Sequence, residues 1–236
     1  MVIIAKKTET KVSEVRTKSK PSKIKCVFFD FWGTLVENGI FPSPVRRAQR
    51  LLRLDVPFSD YIEKFEESFM TKKFDTLTEA FHNVTSEFGV NPPGFVYDKL
   101  VGMWNKNTLL CKPYPETIAV LEELKKKKYK LVLISNTDSL SIPQVLDKFD
   151  LRKYFDEIVL SFDVGILKTN KKMFEAPLKK LKLKKTDVVM VGDSIPTDIE
   201  GAKKAGIRGI LVDRRDTRDF EDKIPNLTVL KEKLEA

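Results

Sequence analysis

The sequence predicts an α/β protein: a doubly wound, mostly parallel β-sheet with helices on both faces, and a helical cap domain inserted after the first strand. Three observations carry this prediction. Short apolar runs alternate with amphipathic helical stretches over the second half of the chain, the pattern of parallel strands joined by crossover helices. Between the first apolar run and that alternation lies a long segment with helical spacing alone. Polar residues close three of the apolar runs, at the strand ends where sheets of this kind bind ligands.

Taken in order, Ile24 to Phe29 reads as a buried strand that ends in Asp30 and leads through Gly33-Thr34 into a loop. From Phe41 to about Asn107, Tyr61, Phe65 and Phe69, then Phe74, Leu77, Phe81, Val84 and Phe88, recur every three or four residues and form apolar helix faces. Pro113 and Pro115 punctuate the chain. The alternation then predicts helices over Glu116–Lys128, Leu140–Phe149, Lys171–Leu183 and Ile195–Ala205, and strands over Lys130–Ser135, Glu157–Ser161, Val188–Val191 and Ile207–Val212. The expected organisation is a basic tail at 1–22, a core made of 23–38 and 111–236, and a cap at 39–110.

A length of 236 residues suits a core domain with an insertion. With 33% charged and 42% hydrophobic residues the chain reads as globular, and its longest apolar runs fall far short of the roughly 20 residues of a membrane helix. Met1 to Lys25 lacks the apolar segment of a secretory signal, so a cytoplasmic protein is expected. Cys26 and Cys111 have no metal or redox spacing, and a disulfide is not expected. The formal charge of +9 is spread over lysine-rich helix faces and does not predict nucleic-acid binding. Such a surplus attracts a small anionic partner instead. The only histidine, His82, reads as a surface or packing residue, and the scarcity of glutamine beside abundant Lys and Glu points to a thermophilic source. A monomer and a homodimer are both compatible with this composition.

The strand-end residues resemble a known family. Asp30-Phe31-Trp32-Gly33-Thr34-Leu35, Ile134-Ser135-Asn136, Lys168 after Gly165-Ile166-Leu167, and Gly192-Asp193 through Asp198 with Gly201-Ala202 are similar, in order, to the four motifs of the haloacid dehalogenase superfamily. The resemblance runs from Lys25 to about Val212 and implies a Rossmann-like core. It also implies a Mg2+-dependent phosphatase acting on a small phosphate ester. Asp30 would be the nucleophile that forms an aspartyl phosphate, with Lys168 neutralising charge on Asp30 and on the phosphate. Ser135, Asn136 and Trp32 would bind substrate. Asp30, Asp193 and the backbone carbonyl of Trp32 would hold the Mg2+, with Asp198 acting through a water. The chemistry accounts for these residue types: a carboxylate attacking a phosphate dianion meets repulsion that only nearby cations relieve.

Each motif alone also has a plain structural reading. Asp30 and Ser135 suit turns after strands, Lys168 suits the surface, and Asp193 and Asp198 suit helix caps. Trp32 departs from the family pattern, whose phosphatases carry at this position an aspartate that acts as acid and base. An indole N–H cannot replace it, and such assistance is typically worth about 10²–10⁴ in rate. A slow enzyme, a substrate with an acidic leaving group, and a proton donor from the cap all remain open. The family's dehalogenases carry an aromatic residue here, but they lack the acidic fourth motif that Asp193 and Asp198 provide. Phosphatase is therefore the leading expectation; the alternatives are a 2-haloacid dehalogenase-like hydrolase and a catalytically impaired phosphate-binding protein.

Overall fold

The computed structural model describes residues 23–235, and the expected basic tail lies outside them. The chain opens with β1 (Cys26–Phe29) and β2 (Val36–Glu37). Four helices follow, α1 (Pro44–Leu51), α2 (Phe58–Met70), α3 (Leu77–Glu87) and α4 (Gly94–Leu110). The return passes through β3 (Lys112–Pro113), α5 (Thr117–Lys126), β4 (Lys130–Ser135), α6 (Ser141–Lys148), β5 (Glu157–Leu160), α7 (Ser161–Val164) and α8 (Lys172–Leu181). The last part comprises β6 (Val188–Gly192), a π-helical turn at Ile195–Ile199, α9 (Glu200–Lys204), β7 (Arg208–Val212), β8 (Lys223–Ile224) and α10 (Leu230–Glu235).

The main sheet has the order β5-β4-β1-β6-β7-β8, and every neighbouring pair is parallel. The chain builds outward from β1 on one side, then crosses back to build the other side from β6. The strand order therefore reverses between β1 and β6, the place where doubly wound sheets open a ligand crevice. Register fixes what meets there: Phe29 lies opposite Leu133 on β4 and Val191 on β6, so Asp30 emerges between the ends of both neighbours.

Both sheet faces are buried, which explains the continuous apolar runs. Val27, Phe29, Leu131, Leu133, Val189 and Val191 pack on one side with Leu121 of α5 and Val145 of α6. Cys26, Phe28, Val132, Ile134, Val188 and Met190 pack on the other with Met173 and Phe174 of α8. The strand alternation of period two thus divides each run between two cores. Burial of each large side chain contributes about 1.5–3 kcal/mol. Both cysteines are free and buried.

Helices α1–α4 build a core around Tyr61, Phe65, Phe69, Phe81 and Trp104, joined by Leu167 from the segment before α8, and in it Phe69 lies 4.7 Å from Trp104 between ring centroids. The aromatic stripe read from the sequence is thus packing. His82 is exposed and stacks on Tyr97 at 4.1 Å. The segment enters and leaves through a small antiparallel ladder that pairs Val36 with Pro113 and Glu37 with Lys112.

Three differences from the sequence expectation have physical causes. The helix expected over Ile195–Ala205 is split, because the π turn holds Asp198 inward before α9 begins. The strand expected to reach Ser161 stops at Leu160, and Ser161 starts α7. The ladder of β2 with β3, together with β8 and α10, consists of pieces too short to give a periodic signal. Among the described residues no helix is long and apolar enough to cross a membrane.

Candidate active site

Three of the four motifs close adjacent strands: Asp30 follows β1, Ser135 ends β4, and Asp193 follows β6. Lys168 arrives on the segment between α7 and α8 and is almost fully buried. Its ammonium donates to Asp30 Oδ1 at 2.5 Å and to Asp198 Oδ1 at 2.5 Å. Burial alone would disfavour the charged lysine, but Asp198 and Asp30 outweigh it and hold Lys168 above its ordinary value. The surface reading of this lysine is thereby excluded.

Asp30 is held at both oxygens, since Thr34 Oγ1 donates to Oδ2 at 3.1 Å while Lys168 takes Oδ1. Asp198 is fixed in the same way, its Oδ2 accepting the Ser194 N–H at 2.9 Å across the π turn. Asp193 completes the group: one carboxylate oxygen from each of Asp30, Asp193 and Asp198 lies within 4.8 Å of the others. Two glycines make room for them. Gly33 adopts φ +82°, and a side chain there would collide with the Asp193 carboxylate; one at Gly192 would collide with Asp198.

This donor set fits a hard divalent cation. All three groups are carboxylates, and one ammonium balances only one of them if all three ionise. The strain appears in Asp193, which burial and then the charges of Asp30 and Asp198 push well above the usual carboxylate range. Burial raises Asp198 too, against the pull of Lys168.

Ser135 is fully buried, its hydroxyl 3.4 Å from the Asn136 carbonyl. Asn136 commits both ends of its side-chain amide to protein: Oδ1 accepts the Lys168 backbone N–H at 2.9 Å, and Nδ2 donates to Glu66 Oε2 at 2.8 Å. Trp32 is half-buried, edge-on to Phe31 at 5.0 Å, with its indole N–H donating to Thr137 Oγ1 at 3.3 Å.

Several residues here had no sequence signal. Glu66 reaches the site from α2, and Asp138 accepts the indole N–H of Trp104 at 3.2 Å and the N–H of Ser141 at 2.7 Å. Ser161 Oγ donates to the Met70 carbonyl at 2.5 Å, tying the end of α2 to the sheet. Arg218 donates to the Asp193 carbonyl while paired with Asp213 at 3.2 Å, bracing the loop that carries the third carboxylate. A cleft of about 520 Å3 opens beside Asp193, lined by Arg46, Arg214, Arg215 and Arg218.

The profile of the haloacid dehalogenase-like hydrolases matches residues 24–206. The chain belongs to that family. It is 30% identical over 205 residues to the glyceraldehyde 3-phosphate phosphatase of Methanothermobacter thermautotrophicus, an alignment covering 85% of this chain and 91% of that protein. Among solved structures, a phosphatase of the family from Thermococcus onnurineus superposes with a TM-score of 0.61 at 25% identity, covering 89% of this chain and 98% of the other. The 2-haloacid dehalogenase of Pseudomonas syringae superposes with a TM-score of 0.60 at 23% identity over 90% of this chain and 98% of its own, a likeness of fold. By family, then, the chain is a hydrolase.

Proposed function

We propose that this protein is a Mg2+-dependent phosphatase that hydrolyses a small phosphorylated metabolite through an aspartyl phosphate on Asp30. The observation that carries this reading is the cluster of buried Asp30 and Asp198 with half-buried Asp193 beside the buried Lys168. A Mg2+ ion bound by Asp30 and Asp193, with the Trp32 carbonyl and Asp198 completing its surroundings, would supply positive charge against the phosphoryl oxygens.

In the first step an Asp30 oxygen attacks phosphorus and the bond from phosphorus to the ester oxygen breaks. Thr34 and Lys168 have already fixed the plane of that carboxylate, so little reorganisation is needed at the moment of attack. Lys168 offsets charge on the nucleophile, and Ser135 donates to the phosphoryl group. In the second step water attacks phosphorus, and the Asp30 carboxylate leaves. Residues 39–110 act as a cap that excludes bulk water and selects the leaving group. A cavity between Trp32 and helices α2 and α4 offers room for that group. The name of the archaeal relative supports a three-carbon phosphate as substrate.

The indole of Trp32 is the one feature that favours a 2-haloacid dehalogenase, a reading that leaves three clustered carboxylates without a cation. A panel of 4-nitrophenyl phosphate, glyceraldehyde 3-phosphate, sugar phosphates and 2-haloacids, each with Mg2+ and with chelator, separates the two. Phosphate release confined to the Mg2+ arm is expected. Halide release that persists in chelator would overturn the proposal, and binding without turnover would indicate a phosphate-binding protein.

A further inference from the structure

We propose that Glu66, on the inserted helix α2, is the catalytic acid of this enzyme, protonating the ester oxygen of the leaving group in place of the aspartate that Trp32 displaces. This inference rests on the phosphatase reading and deepens it.

Glu66 is placed by the same residues that build the site. Its Oε2 accepts from Asn136 Nδ2 at 2.8 Å, and Asn136 in turn accepts the backbone N–H of Lys168, whose ammonium holds Asp30. Glu66 itself is half-buried, with its carboxyl turned inward to Asn136. Here, among the described residues, its hydrogen-bond partner is a neutral amide N–H, which favours the carboxylate far less than a paired cation would. Asn136 therefore orients the group while bringing no full charge to it.

Glu66 also faces the place where a leaving group would lie. It lines the cavity of about 120 Å3 together with Trp32, Trp104, Asn107, Asn136 and Asp138.

The charge environment suits the role. Burial pushes Glu66 up to about 7, opposed by its Asn136 hydrogen bond and by Lys168, and reinforced by Asp198 and Asp30. Asp138 faces the same cavity from the loop before α6, its carboxylate bound by Trp104 and Ser141. A carboxyl that titrates near neutrality holds a proton to give and is acidic enough to release it. As Asp30 bonds to phosphorus, the electron pair of the breaking bond passes to the ester oxygen, Glu66 delivers its proton there, and the alcohol departs. Water then hydrolyses the intermediate, and one of its protons returns to Glu66.

The test is kcat/KM in Mg2+ for a series of aryl and alkyl phosphates whose leaving groups differ in acidity, because kcat/KM ends at leaving-group departure. Glu66→Gln keeps the shape and can still accept from Asn136. It should lose about 10²-fold or more on alkyl phosphates and far less on 4-nitrophenyl phosphate, widening the ratio between them at least about tenfold. Equal losses on both substrates would assign Glu66 to substrate positioning and overturn the proposal, as would no loss. Glu66→Asp, which keeps a carboxyl but withdraws it, should widen the ratio to an intermediate extent, and circular dichroism checks both folds. A wild-type protein that releases no phosphate from any ester in Mg2+ would overturn the phosphatase reading itself, a result distinct from an active enzyme whose ratio does not move.

Discussion

The ammonium of Lys168 lies 2.5 Å from Asp30 Oδ1 across 138 positions of sequence, and both residues are buried. This contact joins the end of β1 to the segment before α8, and a third residue, Asp198, shares the same ammonium. Removing the cation would leave a cluster of carboxylates with nothing to balance it.

Lys168→Met should therefore affect stability and rate together. Breaking a buried ion pair from one side costs about 3–5 kcal/mol, and loss of one preorganised donor costs about 2.7–4 kcal/mol in the transition state. Chemical denaturation should reveal the first loss most clearly in chelator, and Mg2+ should restore part of it. A change of less than about threefold in kcat/KM would remove Lys168 from the chemistry.

This pair also marks how far the sequence could be read. Asp30, Ser135 and Asp193 were legible because each ends an apolar run, and the order of the runs puts their ends side by side. Lys168 lies in a loop where a lysine is ordinarily exposed, so only its place among ordered motifs identified it. Glu66 was not legible at all. It falls next to Phe65 in a helix whose charged residues otherwise face water, and only tertiary packing turns it toward Asn136. Arg218 was lost for the same reason, among basic residues that read as surface. Asn136 was legible as a strand-end residue, but the link its amide makes between Lys168 and Glu66 was not.

Asp193→Asn tests the cation site by a route independent of turnover. The three carboxylates repel one another where two of them are buried, so the variant should be more stable than the wild type in chelator. Adding Mg2+ should raise the wild-type melting temperature, with about 2.7 kcal/mol of stabilisation at a hundredfold excess over Kd, and should barely move that of the variant. Equal shifts in both proteins would place the cation elsewhere.

Glu66 should make stability depend on pH. Its folded-state carboxyl is raised from 4.5 to about 7, chiefly by burial, so between these values the folded protein retains a proton that the unfolded chain has lost. Folding stability contributed by this group is full below about 4.5, falls as pH rises, and levels off above about 7. Glu66→Gln removes this share of the dependence, leaving that of Asp193 and Asp198, and should gain on the wild type by about 1–3 kcal/mol across that window. Denaturation in chelator at several pH values measures the difference, and parallel curves for the two proteins would mean that Glu66 ionises as freely as an exposed carboxylate.

Trp32 offers the strictest test, because replacing it can restore what Glu66 is inferred to supply. In a Glu66→Gln background the leaving group departs unassisted, and rates should rise steeply with its acidity. Trp32→Asp in that background puts a carboxyl two residues beyond the nucleophile and should flatten the dependence again, recovering up to about 10²–10⁴ on alkyl phosphates. The exchange has a structural cost. The indole packs edge-on to Phe31, donates to Thr137 and walls the leaving-group cavity, so its loss enlarges that cavity. Full truncation of a buried aromatic costs about 3–5 kcal/mol, and half-buried Trp32 should cost less. Folding must therefore be measured alongside rate. A folded double variant with the same steep dependence as Glu66→Gln alone would mean that position 32 cannot reach the ester oxygen, and that the indole is held there for packing rather than in the place of an acid.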